Sequence, residues 1–194
     1  MTVATDTARP ALLVMDVQTG IVPLLGDVAG PYLERLSRAI EAARGAKIPI
    51  IYVTVEFRAG YPEVSPRNKG FSAAKAAGRL SGAGASAVHE AVAPQPGDIQ
   101  VVKRRVSAFT GSDLEVVLRG QEIDTLILTG IATSGVVLST LRQAADMDYR
   151  LVVLADLCAD ADEEVHRVLT GKVFPRQADV ITGDEWIGTL DPQP

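Results

Sequence analysis

Three places in the chain pair reactive groups with positions able to present them. Asp16 directly follows the apolar run 11–15, and Lys103 closes the run that begins at Ile99. A third run, 126–129, leads through Gly130-Ile131-Ala132-Thr133-Ser134-Gly135-Val136 into what reads as the start of a helix. A carboxylate, an ammonium and a set of free helix-start amides suit proton transfer and the stabilisation of developing charge. Spacing alone leaves a plainer alternative open, since an aspartate after a strand is also an ordinary helix cap and a strand-end lysine ordinarily reaches solvent.

The elements that must position these residues follow from hydrophobic patterning. Runs 11–15, 48–55, 126–129 and 151–155 are nearly continuous in β-branched and aliphatic residues, the pattern of strands covered on both faces of a parallel sheet, and 99–103 and 178–182 are weaker examples. Between them, apolar residues recur at steps of three and four: Leu33, Leu36, Ile40 and Ala43; Leu114, Val117 and Leu118; Val137, Leu141 and Ala144; Val165, Val168, Leu169 and Val173. Asp113 and the pair Asp162 and Glu163 stand where helices begin. Alternating strands and helices imply right-handed βαβ crossovers, hence an α/β fold: a doubly wound six-stranded parallel sheet with helices on both faces and its ligand beyond the carboxyl ends of the strands. The exception is 57–97, a Gly-, Pro-, Ala- and Ser-rich stretch expected as a long loop serving as a lid or subunit contact, with residues 1–10 as an N-terminal tail of the same single domain, 1–194.

Several segments together carry a resemblance: LLVMDVQ, PGDIQVVKRRVSAF, TLILTGIATSGVVLSTLRQAADMDYRLVVLADLCAD and VFPRQADVIT, in that order. They resemble the isochorismatase-like (cysteine hydrolase) superfamily. The resemblance implies strand order 3-2-1-4-5-6, a cis Ile131–Ala132 bond and a triad of Asp, Lys and Cys, onto which Asp16 and Lys103 match. The third position departs: Val136 stands where the nucleophilic cysteine is usual. Valine has no nucleophilic atom, so the thioester route to amide cleavage is in doubt. A minority of members also lack this cysteine and hydrolyse a vinyl ether, a reaction that begins with protonation of carbon and needs a general acid rather than a nucleophile.

The expectation is therefore a hydrolase of a small, anionic or carbonyl-bearing metabolite, with Asp16 as acid or base and Lys103 as its electrostatic partner. Backbone N–H groups near Ala132 and Val136 would face developing negative charge, and Gln18, Phe57, Arg58 and Phe109 would contact substrate. Two alternatives stay open: a silent binding or assembly protein of the same fold, and an amide or ester hydrolase with its nucleophile moved to Cys158, Ser134 or Ser107. Thr133 is expected to cap its helix.

Other classes are excluded on composition. The formal charge is −5 and the basic residues are scattered, unlike a nucleic-acid footprint. No apolar run nears the ~18 residues of a membrane span, and a single cysteine suits the cytoplasm. No metal and no cofactor are expected: Glu56 to Pro62 contains no histidine, His89 and His166 are far apart in sequence, and Gly78 to Gly84 follows no strand, unlike a dinucleotide-binding loop. By resemblance the chain is expected to form a homodimer or homotetramer.

Overall fold

The computed structural model describes residues 8–82 and 84–190. Six strands form one parallel sheet in the order β3-β2-β1-β4-β5-β6: β1 (Pro10–Met15), β2 (Ile50–Val55), β3 (Ile99–Lys103), β4 (Thr125–Ile131), β5 (Arg150–Ala159) and β6 (Asp179–Ile181). The helices are α1 (Ala29–Gly45), α2 (Lys69–Ala76), α3 (Leu114–Gly120), α4 (Leu138–Asp146), α5 (Glu163–Val168) and α6 (Gly183–Leu190). This is the expected architecture and strand order.

The continuous apolar runs find their reason in burial on both faces. Along β1, Leu13 and Met15 pack into one core with Ile51, Leu114, Leu118, Leu128, Val136 and Leu141, while Leu12 and Val14 pack into another with Leu36, Ile40, Ile127 and Leu154. The apolar stripe of α1 covers the second core, and α3 and α4 cover the first. Central strands β1 and β4 pair over Pro10↔Thr125 to Met15↔Gly130, so the ends of both strands reach the same rim.

Several boundaries differ from expectation. β1 begins at Pro10, inside the anticipated tail, and residues 1–7 lie outside the described residues. β2 begins at Ile50, because the Ile48 amide still bonds the Ala43 carbonyl at the exit of α1. β5 runs on to Ala159 through a register jump: Leu128 faces Val153, but Gly130 faces Cys158, so residues 154–157 bulge out of the ladder with β4, while Leu154 stays paired to Ile181 of β6. The 57–97 stretch is not all loop. Asn68 caps α2 by accepting the Phe71 amide at 3.0 Å, and a short helical turn spans Glu90–Val92.

Helix starts divide likewise. Asp162 caps α5, accepting from the amides of Glu164 at 3.0 Å and Val165 at 3.1 Å, whereas Asp113 makes no capping bond and the Leu114 amide goes to the Ser112 hydroxyl instead. Asp162→Ala is expected to lower stability by about 1 kcal/mol, measured by urea denaturation.

Candidate functional site

Asp16 sits one residue beyond β1 in the left-handed region, φ 57°, a conformation that aspartate tolerates better than most residues. Its amide bonds the Val53 carbonyl at 2.8 Å, which holds the kink against β2. Lys103, at the end of β3, reaches across and donates to Asp16 Oδ2 at 2.9 Å and to the Arg105 carbonyl at 3.0 Å. Lys103 is 1% exposed and Asp16 6%. Asp16 Oδ1 is buried with no partner. Burial raises the Asp16 carboxyl and Lys103 pulls it back down; burial wins, leaving it at about 6. A carboxyl poised there, with one oxygen fixed by an ammonium and the other unsatisfied, is equipped to give or take a proton.

The third site segment follows β4. The Ile131–Ala132 bond is cis, and Thr133–Val137 form a wide helical turn leading into α4. The Ala132 carbonyl accepts from the amides of Gly135 and Val137, while the Ser134 amide is taken by Asp160 Oδ2 at 2.7 Å. Val136 is buried among the core side chains of the α3–α4 face.

A cavity of about 530 Å³ opens beside this turn. Ile131 and Ala132 form part of its wall, Gly20 and Ile21 come from the segment after Asp16, and Val106 comes from the segment after Lys103. The other wall is built by α2 and its flanks, with Phe71, Ala74, Leu80 and Arg79. The lining is apolar except for Asn68 and Arg79, and Arg79 was given no role by the sequence.

Other expected contacts stand elsewhere. Gln18 is fully buried and its amide is spent on backbone: Nε2 donates to the carbonyls of Val55 at 3.1 Å and Ala85 at 2.7 Å, and Oε1 accepts from the Val55 amide at 2.8 Å. It ties the 84–89 segment to the sheet and has no N–H left for a substrate. Arg58 points outward, its side chain 69% exposed and paired with Glu63 at 2.5 Å. Phe57 packs edge-on against Phe71, ring centres 5.0 Å apart, behind the cavity wall. Phe109 belongs to the core, against Tyr149.

The alternative nucleophiles separate as well. Cys158 is 4% exposed, its thiol donates to the Leu128 carbonyl at 3.7 Å, and burial pushes it far up from its ordinary range. Iodoacetamide is therefore expected to leave Cys158 unmodified in the native protein and to label it once denatured, read by intact mass. The Ser107 hydroxyl donates to Gln143 at 2.7 Å, a tie to α4. Thr133 does not cap its helix: its buried hydroxyl bonds His166 Nδ1 at 2.8 Å. That pair joins residues far apart in sequence and carried no local signal. His89 Nδ1 accepts from the Ala91 amide at 3.3 Å near the surface. Among the described residues, no three His, Cys, Asp or Glu side chains stand together as metal ligands would, and no helix is long and apolar enough to cross a membrane.

A buried Asp–Lys pair at the ends of β1 and β3, the two strands that flank β2, beside a cis bond and a helix start, defines a class of parallel α/β hydrolase fold. Residues 10–185 match the Isochorismatase domain, and the chain belongs to that family. It is 32% identical over 182 residues to the uncharacterized isochorismatase family protein YwoC of Bacillus subtilis, covering 94% of each chain. It is 34% identical to the ureidoacrylate amidohydrolase RutB of Methylobacterium radiotolerans, covering 88% of this chain and 75% of that one. An isochorismatase family protein of Burkholderia thailandensis superposes with a TM-score of 0.82 at 28% identity, over 96% of this chain and 98% of that one. The N-carbamoylsarcosine amidase of Thermoplasma acidophilum superposes at 0.72 with 26% identity, over 91% and 97%.

Proposed function

We propose that the chain hydrolyses a small metabolite by acid–base chemistry at Asp16, without a cysteine nucleophile. The observation that carries this is the Asp16–Lys103 pair: both groups are buried, Oδ1 is unsatisfied, and burial holds the carboxyl at about 6. A core kept for packing alone has little reason to retain an orphaned carboxylate oxygen, which costs roughly 1–3 kcal/mol. The apolar cavity takes the body of the substrate with its anionic or carbonyl end toward Arg79. Neither Asp16 nor Lys103 is on that wall, so in this reading the reacting end extends beyond the cavity to reach Asp16. Vinyl-ether-type hydrolysis suits the site best. Protonated Asp16 adds its proton to the alkene carbon, water attacks the resulting oxocarbenium carbon, and the hemiketal collapses to a carbonyl and an alcohol, a proton returning to Asp16. Amide cleavage, the reaction type that the names of RutB and the carbamoylsarcosine enzyme state for those proteins, fits less well, since Val136 offers no nucleophile and the Cys158 thiol is buried and protonated.

Val136 packed into the core also suits the second reading, a binding protein that has lost its chemistry. A panel of small vinyl ethers, esters and amides tests between them. Turnover confined to vinyl ethers supports the proposal; turnover of amides alone, or saturable binding with no turnover of any compound, sinks it. On the substrate that the panel identifies, Lys103→Met is expected to move the alkaline limb of the pH–rate profile above about 6, because the ammonium lowers the Asp16 carboxyl and its loss lets burial act alone.

A further inference from the structure

The Thr133–Val137 turn follows directly on Ala132, part of the wall of the apolar cavity, and two side chains from the exit of β5 and from α5 grip it. Asp160 Oδ2 takes the Ser134 amide at 2.7 Å, and His166 Nδ1 meets the Thr133 hydroxyl at 2.8 Å. Neither Asp160 nor His166 lines the apolar cavity, so what they do to it passes through the turn. Thr133 is fully buried, and its hydroxyl has no other hydrogen-bond partner among the described residues. With one hydrogen to place, that hydroxyl is satisfied when it donates to an unprotonated Nδ1, which makes the neutral ring the Nε2–H tautomer. Protonation of the ring puts a hydrogen on Nδ1 as well and leaves the hydroxyl hydrogen buried without an acceptor, the costly side of a hydrogen-bond exchange.

His166 is placed to make that change. It is half-buried and lines a cavity of about 520 Å³ beside α1 and the end of β5, which gives the ring its access to solvent. Burial lowers its pKa, Asp160 and Glu163 pull it back up, and burial prevails, so it titrates below its ordinary 6.5. Across the same cavity Tyr32 and Cys158 are raised by burial and stay protonated, and Arg35 faces Asp156 at 3.8 Å. Burial raises the Asp160 carboxyl too, but the bonds it accepts, that of Ser134 first, hold it below its ordinary 3.8. Asp160 therefore keeps its grip while His166 titrates. The turn contributes no charged residue, and Lys172, just after α5, is exposed.

We propose that His166 is a positioning residue for the site: its neutral ring holds the Thr133 turn, and through it the Ala132 wall, in place, and its protonation releases them. Its effect on rate rests on the reading of Asp16 as the working acid; its effect on the turn does not. The rate profile then has two limbs, an alkaline one from Asp16 at about 6 and an acidic one from His166.

Hydrogen exchange followed by NMR on the full chain, from pH about 4 to about 8, tests the proposal, in wild type and in Asp16→Asn, where Asp16 no longer titrates. The reporters are the Gly135 and Val137 amides, which bond the Ala132 carbonyl. In both proteins their protection factors are expected to fall about ten-fold with the midpoint at which the His166 ring signals titrate. His166→Asn places an acceptor oxygen near the position of Nδ1 but cannot titrate, so it should keep the turn protected throughout. Thr133→Val should leave it weakly protected at every pH; if that variant folds poorly, His166→Asn decides alone. On the substrate that the panel identifies, His166→Asn should lose the acidic limb and keep the alkaline one. Asp16→Asn should lose turnover yet keep the exchange response, which separates failure of this proposal from failure of the acid–base reading. Protection that does not change as the His166 ring titrates, the same fall in His166→Asn, or an acidic limb retained in that variant would overturn the proposal.

Discussion

Asp16→Asn loses about 10²- to 10⁴-fold in kcat, roughly 3–5 kcal/mol of barrier, on the substrate that wild type accepts; this is the expected result of removing the proton donor while keeping its size and polarity. The wild-type profile should fall as pH rises through about 6, since the protonated carboxyl is the working form. Stability carries the same signature. The folded carboxyl sits above its unfolded value of 3.8, so the native state binds more protons between there and about 6. The contribution of Asp16 to stability is therefore complete below the lower value and lost as pH rises through the upper one. Thermal unfolding across that window should show wild type losing stability relative to the asparagine variant. Equal turnover by the two proteins would remove Asp16 from the chemistry.

Gly130→Ala is expected to be the most damaging single substitution in the fold, costing roughly 3–5 kcal/mol or preventing folding outright. A Cβ at this position would stand 2.3 Å from the Met15 carbonyl oxygen and 2.9 Å from its Cβ, and the backbone φ is 142°, where side chains are rarely tolerated. Backbone cannot yield as a flexible side-chain end would, and the collision falls between the two central strands immediately before the site. Chemical denaturation, or loss of soluble expression against wild type, measures the effect. An alanine variant with wild-type stability would mean that β1 and β4 approach each other less closely than described.

The sheet was legible because burial on both faces leaves continuous apolar runs; Asp16 and Lys103 stood out as the residues at which such runs end, but that placement alone left an ordinary helix cap and a solvent-reaching lysine open, and it was the resemblance that paired them. What escaped did so for identifiable reasons. Only Ala74 of α2 is buried, so that helix leaves no apolar stripe to find. In β5, Asp156 falls within the bulge, interrupting the run three residues before the strand ends at Ala159 and making it look shorter. α6 spans eight residues and buries only Gly183 and Trp186, too little for a periodicity to show.

Side-chain roles were harder to read than positions. Gln18 looks like a substrate contact because it is polar and beyond a strand end. Nothing in its neighbourhood reveals that Val55 and Ala85 consume its amide. Arg58 and Arg79 are equivalent as letters in one loop segment, and the path of the chain through α2 places one outside and the other on the cavity wall. The Thr133–His166 bond needs the whole crossover from β4 to α5 before it exists.

The strand order also governs how the chain is made. β1, β2 and β3 form half the sheet from the N-terminal part of the chain, but β1 lies at the middle of the finished sheet and its second neighbour, β4, begins only at Thr125. During synthesis, the half-sheet therefore emerges from the ribosome with the unbroken apolar strand Ala11–Met15 as an unpaired edge, a template for any other extended chain nearby. Such non-local pairing is slow to form. Docking of β4 onto β1 is what closes that edge, and until it happens the edge stays open to other extended chains.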